Sequence, residues 1–168
     1  MKAEIGGLPF IAEDLGTITA DVQQLRDQFH VPGTRVLQFA FDGHPDNPYL
    51  PPNFVSNAVV YTGTHDNATT RQWYEELPDD RKQILWSYAK RSPADSAEAA
   101  PELLRLAWTS TAALAIAPLQ DLLNLGRGAR MNVPGHADGN WRWRCPEDLL
   151  SGPAFPWLRE LTAASKRS

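Results

Sequence analysis

Short apolar runs that stop on charged residues constrain this chain most. LPFIA at 8–12 runs into Glu13 and Asp14, and AVVYTG at 58–63 runs into His65 and Asp66. Runs this short, apolar on both faces, predict strands buried in a parallel sheet covered by helices. Residues that follow the carboxyl ends of parallel strands converge on one mouth of the sheet, where α/β folds keep their chemistry.

Between the runs the periodicity turns helical. Thr19 suits a helix N-cap with Asp21 in the first turn, Val22, Leu25 and Phe29 follow at helical spacing, and Pro32-Gly33 stops the helix. RVLQFAF at 35–41 is the next expected strand, so the segment reads as a strand–helix–strand unit with a right-handed crossover. Residues 42–57, rich in Pro, Asn and Asp, predict a long loop of the kind that tends to be functional. Helices are expected at 69–77 and 78–91, an exposed linker at 92–101, and an apolar helix at 102–115. A short strand and a turn of helix should follow up to Gly126, then a loop at 129–144, a closing helix at 156–165 and a frayed tail, KRS. Trp86 and Trp108 belong on core-facing helix sides. The sum is an α/β fold with three or four parallel strands, which an open doubly wound sheet and part of a (β/α)8 barrel both satisfy. No GxGxxG and no GxxxxGK[ST] occurs, which removes support for nucleotide binding.

The 168 residues suffice for one domain with a real core. The net charge is −4 and the basic residues are scattered, so no nucleic-acid partner is expected. Cys145 is the single cysteine, which excludes an internal disulfide and a cysteine-rich zinc site and fits a reducing compartment. The most apolar stretch, 106–119, is broken by Thr109, Ser110, Thr111 and Pro118 and is too short to span a bilayer. No secretory pattern is visible at the amino end, so a cytoplasmic location and no membrane partner are expected.

The acidic motifs offer chemistry. Glu13 follows Phe10 and Ile11, and apolar walls would raise its pKa toward that of a general acid; the alternative is that Glu13 or Asp14 caps the next turn. Asp66 could stabilise positive charge at a reacting carbon while His65 donates to a substrate hydroxyl; the alternative is that Asp66 or Asn67 N-caps a helix starting near Ala68. Trp141 and Trp143 lie among Arg130, Asn132, Asn140 and Arg142, a mixture suited to sugar faces and hydroxyls, or to anchoring a loop. His30, His44 and His136 read as solvated side chains.

Taken in order, IAEDLG, VPGTRVLQFAF, NPYLPPN, VVYTGTHDNATT, PLQDLLNLG and ARMNVPG followed by GNWRWR resemble the 4-alpha-glucanotransferases, the amylomaltase or disproportionating enzymes of maltodextrin, glycogen and starch metabolism. The resemblance runs from about residue 5 to about residue 150. It implies a (β/α)8 barrel and retaining transfer of α-1,4-glucan segments to the 4-hydroxyl of glucose or another glucan. It implies Glu13 as the acid/base, Asp66 as the transition-state stabiliser and His65 as a sugar ligand, with Asp14, Asn132 and Arg130 as further substrate contacts. The partners it implies are maltooligosaccharides and α-1,4-glucans, with no metal and no organic cofactor.

One element of that family pattern does not occur in these residues. Retention needs a carboxylate nucleophile about 5 Å from the acid/base. The family carries it as an Asp in an Arg-x-Asp-His-like motif on the strand before IAED, and no such motif occurs here; Asp42, Asp46 and Asp121 do not match it. A full barrel takes about 250 residues. The chain is therefore expected to be the C-terminal part of a glucanotransferase barrel with about half the strands, lacking the N-terminal half and inactive alone. Such a part should expose an edge strand at 8–12 and the helix faces around Leu103, Leu106 and Trp108. Two alternatives belong to other classes: a non-catalytic module that binds glucan or a partner, and a metal-dependent barrel hydrolase with Glu13, Asp14, His65 and Asp66 as ligands.

Overall fold

A computed structural model of the chain describes residues 9–167. Helix α1 (Ala20–Gln28) leads into strand β1 (Gly33–Val36), and the long loop leads into β2 (Ala58–Tyr61). Helices α2 (Thr70–Glu76), α3 (Asp79–Ala89) and α4 (Ser96–Thr109) precede β3 (Leu114–Ile116). The short α5 (Leu119–Leu122) and the closing α6 (Ala154–Ala164) complete the regular elements. The sheet order is β1-β2-β3, all parallel, with Thr34 opposite Val59 and Val59 opposite Leu114. This chain-order progression lacks the reversal of strand order that defines an open doubly wound sheet.

Helices α2 to α6 cover one face of the sheet, while α1 adds no residue to the core. Ala58 and Val60 point into a core with Leu85, Trp86, Leu103, Leu104 and Ala107, all essentially inaccessible to solvent. The buried aromatic polar groups are satisfied: Trp86 Nε1 donates to Tyr74 Oη at 2.8 Å, and Tyr74 Oη donates to the Ala94 carbonyl at 2.6 Å. Leu103 and Trp108, expected to be left uncovered, are buried, because α6 packs on α4 and Thr162 accepts from Trp108 Nε1 at 2.9 Å.

The segment expected to be an exposed linker at 92–101 is instead the start of α4. Asp95 caps it, accepting from Ala97 N at 2.8 Å, Glu98 sits in its first turn, and Ala99 and Ala100 are buried. Pro101 lies inside the helix, where it has no N–H to offer the Ala97 carbonyl. Asn124, just beyond α5, supplies the donor from outside, Nδ2 to Ala97 O at 2.8 Å. The helix expected to run through residue 115 stops at Thr109, and β3 follows after a turn. Arg167 secures that stop: its guanidinium donates to the carbonyls of Trp108 (2.6 Å), Ser110 (2.7 Å) and Ala112 (3.0 Å). The tail is thus tied down through Arg167 rather than frayed, while Ser168 lies outside the described residues.

Two expected strands are shorter than their apolar runs. At 35–41 the extended backbone ends at Val36 and Leu37–Phe39 form a 3₁₀ turn that buries Gln38. At 8–12, Leu8 lies outside the described residues, and the remainder forms one parallel bridge, Ala12 with Gly33. Phe10 and Ile11 are 48% and 42% exposed instead of buried, because among the described residues only Ala12 of this run pairs, and on one side only. The long loop at 42–57 is present as expected and is organised by Asn47, which donates to Phe39 O at 2.9 Å and accepts from Tyr49 N at 2.7 Å.

One buried carboxylate registers the sheet against its helices. Asp121 accepts from Thr62 Oγ1 (2.5 Å), Thr70 N (2.7 Å) and Thr70 Oγ1 (2.7 Å). Burial pushes its carboxyl above the ordinary 3.8, against the lowering effect of the Thr62 and Thr70 donors. Replacing Asp121 by Ala strands these donors and should cost about 3 kcal/mol in denaturant unfolding. With a raised folded pKa, the carboxyl's contribution is full below the ordinary value and is lost as pH rises through the folded one. The deficit of Asp121→Asn relative to the parent should therefore shrink between pH 4 and pH 7, measured by the same unfolding curves.

Candidate active site

A cleft of about 400 Å³ opens over the sheet face opposite the helices, at the carboxyl ends of the strands. Ile11, Thr34, Tyr61 and Ile116 form its floor, Glu13 one wall, and Gly63, Thr64 and His65 another; Arg130, Met131 and Trp141 close the mouth. Both acidic motifs therefore reach one side of the fold.

The loop after β2 is built tightly. Thr62 and Thr70, its two ends, are held by the same Asp121 carboxylate. Within it, Asn67 Oδ1 accepts from Thr64 N at 2.8 Å and Thr64 Oγ1 at 2.9 Å. Gly63 is required by close approach, since a Cβ there would meet Gln38 Nε2 at 2.5 Å. That amide donates to Ala68 O at 3.0 Å and braces the loop from beneath. The cap of α2 is Thr69, whose side chain accepts from Gln72 N at 3.3 Å. Neither Asp66 nor Asn67 serves as the N-cap, so the Asp66 carboxylate is left available.

Asp66 stands at the rim, next to His65 but, like Asn132, not among the residues that line the cleft itself. Its Oδ1 accepts from Asn132 Nδ2 at 2.6 Å and lies 3.2 Å from His65 Nε2. Arg130 donates to the Asp66 carbonyl at 3.0 Å and to Asn132 O at 2.8 Å, so it clamps the 129–144 loop onto the loop after β2. The His65 ring packs on Trp141, with centroids 5.2 Å apart and planes at 36°. Four of the expected residues, His65, Asp66, Arg130 and Asn132, thus form one connected group.

Glu13 lines the same cleft but is exposed, and the apolar enclosure expected from Phe10 and Ile11 is absent because both are themselves exposed. Its neighbour across the floor is Tyr61, whose phenol is pushed up by burial and, secondarily, by the Glu13 carboxylate. Sequence reasoning missed Tyr61; the strand-end position next to THD was the available signal. Asp14, expected as a substrate contact, turns away from the cleft. It accepts from Thr34 N at 2.6 Å and pairs with Arg26 at 2.5 Å and Arg35 at 3.4 Å. Gly33 makes room for it, since a Cβ would meet Asp14 Oδ2 at 2.6 Å. With Asp14 so engaged, the four-ligand metal arrangement does not assemble, and no metal-binding cluster occurs among the described residues. Trp143 does not line the cleft. Among the described residues no helix is long and apolar enough to cross a membrane.

Residues 1–150 match the family description 4-alpha-glucanotransferase. The chain belongs to the 4-alpha-glucanotransferase family. It is 51% identical over 151 residues to the 4-alpha-glucanotransferase of Synechocystis sp., covering 89% of this chain and 30% of the relative. Against the 4-alpha-glucanotransferase of Thermus thermophilus it is 44% identical over 170 residues, 96% of this chain and 33% of the relative. The fold superposes on an amylomaltase from Streptococcus agalactiae, solved in complex with acarbose, with a TM-score of 0.92 and 32% identity. That match covers 99% of this chain and 34% of the amylomaltase. The chain thus spans about a third of the length of these family members.

The brace under the loop after β2 is testable. Gly63→Ala should displace the Gln38 amide from Ala68 O and cost about 1–2 kcal/mol in denaturant unfolding. Replacing Gly126, where a Cβ meets nothing within 4 Å, should cost much less in the same measurement.

Proposed function

We propose that this chain carries one side of the active site of a retaining 4-alpha-glucanotransferase built on a (β/α)8 barrel. The observation that carries the reading is the Asp66 carboxylate, held by Asn132 Nδ2 at 2.6 Å beside His65, at the rim of the cleft that Glu13 lines. Parallel strands in chain order, with helices on one face and the cleft at their carboxyl ends, are what an arc of such a barrel would have.

In this reading Glu13, protonated, gives its proton to the glycosidic oxygen as the bond to the donor glucan breaks. The carboxylate nucleophile takes the place of the departing glucan on the sugar carbon, and Glu13 then takes the proton from the acceptor's 4-hydroxyl as that oxygen attacks the carbon and displaces the nucleophile. Asp66 stabilises the positive charge that develops on the sugar ring in both steps. His65 hydrogen-bonds a sugar hydroxyl, Asn132 orients the Asp66 carboxylate, and Arg130 fixes the backbone beneath it. Donors are maltooligosaccharides and α-1,4-glucans, and the acceptor is glucose or a glucan end. No step calls on a cofactor. The carboxylate nucleophile comes from the part of the family members' length that this chain does not span. The half-exposed apolar residues Phe10, Ile11 and Leu114, with Val22, Leu25 and Phe29 along α1, supply a surface on which further barrel strands and helices would seat.

The test is disproportionation of maltotriose, followed by product chromatography, with this chain joined to the remainder of the Synechocystis relative. Turnover is expected in the joined protein and none in the 168-residue chain alone. Glu13→Gln should lower turnover by about 10²–10⁴-fold, and Asp66→Asn comparably. Undiminished turnover in Glu13→Gln would assign the acid/base elsewhere. Maltotriose binding without turnover in the joined protein would favour a glucan-binding module.

A further inference from the structure

Five non-glycine residues among those described have a positive φ: His30, Lys90, Asn124, Trp141 and Lys166. Four of them end helices, where the left-handed conformation closes the last turn: His30 after α1, Lys90 after α3, Asn124 after α5 and Lys166 after α6. Trp141, at φ 63°, ends no helix. A bulky side chain in this region is strained by about 1–3 kcal/mol and persists only where its surroundings enforce it.

The surroundings do enforce it. Trp141 N donates to Met131 O at 2.7 Å, and Arg144 donates to the Trp141 carbonyl at 2.9 Å. The preceding Asn140 closes the loop on itself, accepting from Val133 N at 2.9 Å and donating to His136 O at 2.8 Å. This apparatus holds a tryptophan that is 54% exposed. Anchoring the loop does not account for the ring's position, since about half of it stays open to solvent. The strained backbone instead presents it at the mouth of the cleft, with His65 against one side and the open half available to a ligand.

We propose that Trp141 is a binding platform for a glucosyl ring, holding the sugar's apolar C–H face beside His65 at the cleavage point. The inference rests on the reading of this cleft as a glucan site. A flat, rigid ring suits the C–H groups of a pyranose face, while His65 offers a polar group to its hydroxyls. Trp143, partly covered and away from the cleft, has no such role.

Calorimetric titration of the purified chain with maltotriose tests it. Trp141→Ala should weaken binding about tenfold and Trp141→Phe only about threefold. Trp141→Gly separates support from recognition. Glycine favours this φ, so the thermal midpoint should not fall, yet binding should weaken as it does for alanine. A lowered midpoint with unchanged affinity would make Trp141 a loop anchor and overturn the proposal. His65→Ala distinguishes the two levels. If it weakens binding while Trp141→Ala does not, the glucan cleft stands and the platform falls. If the parent chain does not bind maltotriose, the platform falls, while the reading of the cleft is decided separately by turnover in the joined protein.

Discussion

The Asp121 carboxylate is the interaction on which the rest of this structure depends. It sits on α5, yet accepts from Thr62 at the exit of β2 and from Thr70 at the entry of α2. The Thr70 N–H is one of the donors that a helix leaves unpaired at its amino end, and a negative charge there is favourable. Both ends of the loop that carries His65 and Asp66 are therefore fastened to one buried group. Apolar packing of β2 against the helices would hold the layers together without setting where that loop begins and ends, because dispersion contacts have no direction.

From this anchor the site is assembled outward by directed bonds. Gln38 supports the loop from below, Asn67 closes it, and Arg130 and Asn132 bind it to the 129–144 segment. An exposed carboxylate on an unsupported loop would adopt many rotamers. Asp66 instead has its orientation set by a donor at 2.6 Å while nearly half of its side chain remains accessible. Such preorganisation lets a charge act on a transition state without reorganising when the reaction occurs.

The Glu13 side is built differently. Its strand contributes a single bridge, and its neighbours Phe10 and Ile11 are half exposed. What holds it is Asp14, locked by Arg26, Arg35 and the Thr34 amide, so that one member of the acidic pair fastens the backbone while the other faces the cleft. The two sides of the cleft thus differ in how fully this chain encloses them.

Much was legible in the sequence because it depends on local pattern. The strand at 58–61, the helices at 70–76 and 79–89, the long Asn47 loop, and the burial of Trp86 follow from periodicity and turn chemistry. The IAED and THD motifs and the meeting of Glu13 and His65 in one cleft were also readable, since strand ends of a parallel sheet share a mouth. What only the tertiary structure decided rests on partners distant in the chain. Pro101 sits inside α4 because Asn124 satisfies the carbonyl it abandons, and α4 stops at Thr109 with Arg167 taking the free carbonyls. Asp14 became a fastener and Thr69 took the cap from Asp66 and Asn67. Side-chain hydrogen bonds spanning 20 to more than 60 residues carry no periodicity, so no local pattern announces them.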